Sequence, residues 1–234
     1  MRVGLYGRGR LGSAIAAELD GDLVWQLGRD GKPAGGVDVA IDASRAEAVE
    51  GHVVWAIENA TPLVIGTTGW SISDLAERVG TRTAVLVAPN FSLTVALMKR
   101  LTTILAGYAA LDPDRDPYVS EAHHRHKADA PSGTARLLAQ AVMAACPRKK
   151  AWTTGTPAGA HELSIGVVRA GVEVGTHVVG IDAPGEVLEI RHQVRSRAAF
   201  AQGAVAAARW LVGRSGVYSM DDVARDVLGP LFTP

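Results

Sequence analysis

The sequence predicts an α/β protein: a doubly wound domain on a parallel sheet, joined to an α+β domain with a mixed sheet. Three observations lead there. Residues 1 to about 90 alternate short apolar runs with helical stretches, the pattern of βαβ units. Beyond about Pro117 three strand-like runs follow one another with short turns, which suits antiparallel or mixed pairing. Between the first strand and the first helix lies a turn with glycines at Gly7, Gly9 and Gly12.

Taken in order, RVGLY is the first strand, and RLGSAIAAEL behind it repeats its apolar residues at helical spacing. DLVWQL and VDVAIDA are the next strands, RAEAVEGHVVWAIENA a helix, PLVIGTT a strand, ISDLAERV a helix and AVLVAP a strand. Gly, Pro, Asn and Asp bound these runs because they turn the backbone at low steric cost. NFSLTVALMKRLTTILAGYAAL reads as a long helix. A strand from Pro117, a polar loop and the helix TARLLAQAVMAA follow, then the strands HELSIGVVRA, THVVGID and GEVLEIRHQV. In the last of these Leu188, Ile190, His192 and Val194 share one face, and Val187, Glu189, Arg191 and Gln193 the other. The closing stretches AAFAQGAVAAARWLVG and MDDVARDVLG have helical spacing and are expected to return to the first domain. The expected division is 1–92 with 200–234 for the first domain and 93–199 for the second.

Composition excludes several function classes. Lys plus Arg and Asp plus Glu both number 24, so the formal charge is zero and no cationic surface excess is on offer for nucleic acid. No apolar run approaches the roughly 20 residues of a membrane span, and MRVGLYGRG enters a strand pattern without an export signal. Cys146 is the single cysteine, which fits a reducing, cytoplasmic setting.

YGRGRLGSAI matches G-x-G-x-x-G at the first strand-to-helix turn, the fingerprint of a Rossmann-type dinucleotide domain. Gly7 allows the tight turn, Gly9 close approach to a pyrophosphate and Gly12 close helix packing, while Arg10 and Leu11 open a helix whose N–H groups face the anion. At the end of the second strand, where a carboxylate selects NAD by holding the ribose hydroxyls, the chain reads QLGRDGK. Gly28 leaves that place empty, and Arg29, assisted by Lys32, faces a 2′-phosphate, so NADPH is expected to be preferred with NADH accepted; a solvated turn carrying an arginine is the alternative. GTTGW, with Gly66, Thr67 and Thr68, and APNFS, with Ala88, Pro89, Asn90 and Phe91, sit at further strand ends that line such a crevice.

EAHHRHKADAPSGTA, residues 121–135, concentrates histidines, a lysine and acids before Pro-Ser-Gly-Thr. A metal nest is disfavoured, since in an extended chain His123 and His126 point to opposite faces. A solvated loop is the bland reading. Against it, Pro131, Ser132, Gly133 and Thr134 open an amphipathic helix, so the N–H groups of Gly133, Thr134 and Ala135 with the hydroxyls of Ser132 and Thr134 form a carboxylate-sized nest. Lys127, His123 and His124 place proton donors beside it, an arrangement suited to an anionic substrate protonated near a hydride donor.

This stretch strongly resembles the signature of the 4-hydroxy-tetrahydrodipicolinate reductase (dihydrodipicolinate reductase) family, and the resemblance extends over GRGRLG, VDVAIDAS, PLVIGTTGW, APNFSLTV, VRAG, VGTHVV and GEVLEIRHQVRSRAAFAQGA. It implies an NAD(P)H-dependent reductase of the diaminopimelate route to lysine, with a small dicarboxylate substrate and no resident metal. His123 is then the acid/base residue, Lys127 a second proton donor and His124 a substrate contact, with Ser132, Gly133 and Thr134 on a ring carboxylate. The family's second domain binds substrate and builds a homotetramer. The chain departs from the family where DFT and a proline are common and it carries Asp42, Ala43, Ser44 and Arg45, and where Gly28 replaces an acidic residue.

Arg169 in VRAG and His177 in GTHVV match family positions near the site, with pairing to Glu162 or Glu173 as the ordinary alternative for Arg169. His177 and His192 read as satisfied polar residues of the sheet, Trp70 as a core or interface residue, and Arg148 to Lys150 as a solvated turn. Two rival functions share parts of the pattern: an amino-acid dehydrogenase, which has no need of the His-His, Lys and Ser-Gly-Thr set, and an NADPH-binding regulator, which has no need of proton donors.

Overall fold

The computed structural model describes residues 1–232. In chain order the elements are β1 (Val3–Tyr6), α1 (Arg10–Leu19), β2 (Leu23–Leu27), β3 (Val39–Asp42), α2 (Ala46–Glu58), β4 (Leu63–Ile65), α3 (Leu75–Val79), β5 (Ala84–Val87) and α4 (Leu93–Ala110). They continue with β6 (Asp116–His123), α5 (Gly133–Ala145), β7 (Ala151–Thr153), β8 (Glu162–Arg169), β9 (Thr176–Ala183), β10 (Glu186–Gln193), α6 (Ala198–Leu211), β11 (Gly216–Ser219) and α7 (Met220–Leu228). Two compact units result, Met1–Leu93 with the chain from Arg197 onward, and Thr94–Ser196. Among the described residues no helix is long and apolar enough to cross a membrane.

The first unit holds a parallel sheet in the order β11-β5-β4-β3-β1-β2. Side-chain alternation along its strands builds two cores, one on each face. Val3, Leu5, Ile41, Val64 and Leu86 pack with Ile15 of α1 and Ala204, Ala208 and Leu211 of α6. Tyr6, Ala40, Leu63, Ile65 and Val85 pack with Val49, Val53 and Ala56 of α2. Residues 28–38 join β2 to β3 without a helix. The strand β11, absent from the sequence expectation, pairs with β5 at the sheet edge. Its four residues are too few to show alternation, and Val217 is exposed there.

The second unit holds a mixed sheet in the order β10-β9-β6-β8-β7. The pairs β6–β9 and β9–β10 are antiparallel, and β6–β8 and β7–β8 parallel. Thus β6 lies between β8 and β9, although these two follow each other in sequence. Met98 and Leu105 of α4 and Leu138 and Val142 of α5 cover one sheet face, against Val119, Leu163, Ile165, Val179 and Ile181. The expected facing of β10 shows in burial only towards its end, where Ile190, His192 and Val194 are less exposed than Arg191 and Gln193, while Leu188 is nearly as exposed as Val187.

Candidate active site

In the first unit the chain runs from β1 to β2 on one side and then to β3 on the other, so the strand order reverses at β1. A crevice opens beyond the carboxyl ends of strands at such a reversal. Gly7 turns the chain there with φ of +113°, and a Cβ on it would run into the Ala43 carbonyl. One on Gly12 would run into the Gly7 carbonyl. The bare backbone therefore keeps α1 close behind the turn. Gly9 caps α1 with no side-chain hydrogen bond, which leaves the helix start, Arg10 and Leu11, to an anion.

A cavity of about 310 Å³ opens over this turn, lined by Gly7 to Gly9, by Leu27 to Arg29 at the end of β2, by Ala43 to Arg45 beyond β3, and by His52. Arg8, Arg29 and Arg45 put three guanidinium groups on its lining, and no lining residue is a carboxylate. Arg8 is anchored on the Gln26 carbonyl at 2.9 Å, and Gln26 Nε2 on the Gly7 carbonyl at 2.9 Å.

Below this cavity Asp42 is fully buried. Its carboxylate accepts from the Ser44 hydroxyl at 2.6 Å and the Thr67 hydroxyl at 2.7 Å, and pairs with His52 Nδ1 at 2.6 Å. The His52 ring stacks on Tyr6 with centroids 3.7 Å apart. Burial alone would raise the Asp42 carboxyl, but hydrogen bonds from His52, Ser44 and Thr67 outweigh it and hold the group below its ordinary value. A depressed carboxyl stabilises the fold above its unfolded value and loses that contribution as pH falls through its folded value. Asp42→Asn is accordingly expected to lower stability at neutral pH by about 2 kcal/mol. It should also flatten the loss of stability below about pH 4. Urea unfolding at neutral and acid pH measures both.

A second cavity in this unit, about 260 Å³, brings together Leu11, Gly66, Pro89, Asn90 and Phe91 with Arg197 and Phe200. Ala88 is buried beneath it, its N–H bonded to the Ile65 carbonyl at 2.9 Å. The Thr67 hydroxyl is turned to Asp42, Thr68 is exposed, and Trp70 Nε1 braces the loop on the Thr67 carbonyl at 2.7 Å. Arg197 and Phe200 had no role in the sequence reading. No local signal marks them, because only the return of α6 to this sheet brings them to the crevice.

In the second unit, alternation along β6 turns Val119, Glu121 and His123 to the helix-covered face. Register then assembles the cluster: Arg169 of β8 lies opposite His123, and His177 of β9 opposite Glu121. The Glu121 side chain has no exposed surface. Its Oε1 accepts the Ser132 N–H at 2.8 Å and Arg169 Nη2 at 2.8 Å. Its Oε2 lies 3.0 Å from His123 Nδ1 and 3.7 Å from His177 Nε2. Both Oε2 and His123 Nδ1 are buried without a hydrogen bond among the described residues, close enough to attract but out of line. Arg169 thus takes neither Glu162 nor Glu173; its other acceptors are the Asp129 carbonyl at 2.5 Å and the Val168 carbonyl at 2.9 Å.

The anion nest differs from expectation. Ser132 caps α5, and its hydroxyl takes the Ala135 N–H at 3.2 Å, while the Ser132 N–H goes to Glu121. Ala135 is therefore closed to a ligand, and the Ser132 hydroxyl is also 3.1 Å from His177 Nε2. Gly133 stays exposed at the helix start, with Thr134 beside it. Lys127 is held by Asp129 at 2.6 Å. His124 is half-buried, its N–H on the Glu173 carbonyl at 2.7 Å.

Burial pushes the His123 imidazole down, with Lys127 and Arg169 adding to the effect and Glu121 opposing it. Burial likewise pushes His177 down to about 4, so its ring is neutral near pH 7. For Glu121 burial acts upward, and the hydrogen bonds from Ser132 and Arg169 outweigh it and keep the carboxyl low. The three histidines of the signature do not converge. Glu121, His123 and His177 do, with potential ligand atoms within 4.8 Å of one another. Arg169 lies 2.8 Å from that carboxylate, a positive charge that works against a cation there. Glu121 and His177 are the members that the sequence reading left without a role.

Two family models match the chain, "Dihydrodipicolinate reductase, N-terminus" over residues 30–91 and "Dihydrodipicolinate reductase, C-terminus" over residues 93–224. The 4-hydroxy-tetrahydrodipicolinate reductase of Chromohalobacter salexigens is 42% identical over 197 residues, covering 80% of this chain and 72% of the relative. That of Zymomonas mobilis is 35% identical over 253 residues, covering 95% and 96%. The solved structure of dipicolinate-bound dihydrodipicolinate reductase from Paenisporosarcina sp. TG-14 superposes with a TM-score of 0.77 at 22% identity, covering 95% of this chain and 99% of that one. An amine dehydrogenase from Mycobacterium smegmatis shares the fold more distantly, with a TM-score of 0.53 at 14% identity and coverage of 94% and 95%.

Proposed function

Since this chain belongs to the dihydrodipicolinate reductase family, we propose that it reduces 4-hydroxy-tetrahydrodipicolinate to tetrahydrodipicolinate in the diaminopimelate route to lysine. The observation that carries this reading is the buried His123 joined through Glu121 to the start of α5, a proton donor beside a helix N-terminus that suits an anion. A pyridine nucleotide supplies the hydride when bound, and the bare Gly7 to Gly12 turn with its uncapped helix fits one.

The chain's own residues do the rest. The α5 start at Gly133 and Thr134 holds one ring carboxylate, the Ser132 hydroxyl and His124 border it, and Arg169 adds positive charge. Loss of water from the substrate gives a conjugated cyclic imine. Hydride delivered to the far carbon of the conjugated C=C shifts an electron pair towards the imine nitrogen. The enamine carbon so formed takes a proton, which His123 donates with Lys127 as a second donor, restoring the C=N of the product. Arg29 and Arg45 favour NADPH over NADH at the mouth of the larger cavity. In the smaller cavity Gly66 and Pro89 to Phe91 border the nicotinamide end, with Thr67, Thr68 and Ala88 shaping the loops that carry them.

We place the enzyme in the cytoplasm, where the unpaired Cys146 stays reduced. We also propose a homotetramer built through the sheet face opposite α4 and α5, which bears Val168, Val178 and Arg191. Sedimentation is expected to give four chain masses; a monomer refutes the assembly. For the reaction, nucleotide deuterated at the transferred position is expected to deliver one deuterium into the tetrahydrodipicolinate ring. Ring product without deuterium, or no ring product, rejects it.

A further inference from the structure

Glu121 has a place in the geometry that the proposed chemistry does not yet use. It is the one group joining all parts of the second-unit cluster. Oε1 ties the backbone of the α5 cap to Arg169, and Oε2 faces the Nδ1 edge of His123 at 3.0 Å. On the other edge of that ring Gly175 leaves room: a Cβ there would come to 3.0 Å from Nε2.

We propose that Glu121 is a positioning residue for proton transfer, holding His123 by its Nδ1 edge so that Nε2 is the atom that delivers the proton. The inference rests on the reading of His123 as the acid. Nδ1 and Oε2 are both buried and both lack a hydrogen bond among the described residues, so a small tilt of the ring satisfies two orphaned polar atoms at once. Hydrogen bonds of this kind are often misaligned without substrate and tighten in the complex. Glu121, with Asp129 acting in the same direction, stabilises the imidazolium against burial and the cations facing it, Lys127 on the same loop and Arg169 from β8; His177 from β9 also faces the ring, with His192 behind it on β10. From α5, Arg136 acts on Asp129. Carboxylate and ring thus work as one unit, the first fixing the orientation and charge of the second.

The test is kcat against pH for the wild type, Glu121→Gln, Glu121→Asp and His123→Asn, with saturating substrate and NADPH. Glu121→Gln is expected to lower kcat on the order of tenfold to a hundredfold, below the ~10²–10⁴-fold that an acid itself supplies. Its alkaline limb should move to lower pH by about one unit or more, because losing the carboxylate charge destabilises the imidazolium. The KM for NADPH should stay at the wild-type value. Glu121→Asp keeps the charge but withdraws it from the ring, so it should recover part of kcat and move the limb less in the same direction. It carries the test alone if the amide variant does not fold. A fall in kcat with the limb unmoved in both variants overturns the positioning role. If His123→Asn keeps the wild-type limb, the reading of His123 fails instead.

Discussion

His123→Asn is expected to lower kcat by roughly 10²–10⁴-fold, the range that a positioned acid contributes. Affinity for NADPH should be unchanged, since the residues lining the nucleotide crevice all lie in the other unit. The fold should survive, because Glu121 keeps the Ser132 N–H and the Arg169 guanidinium when the imidazole is gone. Burial holds His123 below its ordinary 6.5, so the ring is mostly neutral in the free protein near pH 7. A dicarboxylate bound beside it favours the imidazolium. The alkaline limb of kcat/KM, which reports the free enzyme, should therefore lie below that of kcat. Stopped-flow turnover across the pH range and nucleotide titration measure these effects. Lys127→Ala should cost less, as Lys127 is tied to Asp129 and half exposed.

Replacing Arg29 and Arg45 together with alanine is expected to lower the ratio of kcat/KM for NADPH to that for NADH by up to about a hundredfold. Each exposed guanidinium is worth about 1.5 kcal/mol to a phosphate, roughly tenfold. The physical basis is the lining itself: three arginines, a glycine at position 28 and no carboxylate to repel a 2′-phosphate. NADH lacks that phosphate, so its kcat/KM should barely change. Equal losses with both nucleotides mean that the arginines shape the loop rather than read the phosphate.

Much of this was legible in the residues. The glycines of the first turn are fixed by close backbone approach, which a local motif records directly, and the structure shows the same carbonyl contacts that exclude side chains at Gly7 and Gly12. The signature 121–135 likewise carries its cap in order, Ser132 before a helical run. The Glu121 network was not legible, since it depends on β6 entering between β8 and β9, strands that sequence order alone would pair with each other. His177 and His192 are not the fully satisfied polar residues expected: His177 pairs through Nε2 with Ser132, a contact set by cross-strand register rather than spacing, but Nδ1 of each is buried without a hydrogen bond among the described residues. The nest came out one N–H smaller than expected because the cap hydroxyl serves the helix before any ligand. Arg197, Phe200 and β11 were hidden for a related reason: each acquires its meaning only where the end of the chain meets the first sheet.

The most direct measurement is nucleotide oxidation with substrate made in situ from pyruvate and aspartate semialdehyde by the preceding synthase, run separately with NADPH and NADH. The expected result is rapid oxidation that depends on the synthase, faster with NADPH. Nucleotide that binds but is not oxidised, whether or not the synthase is present, would contradict the proposed reaction.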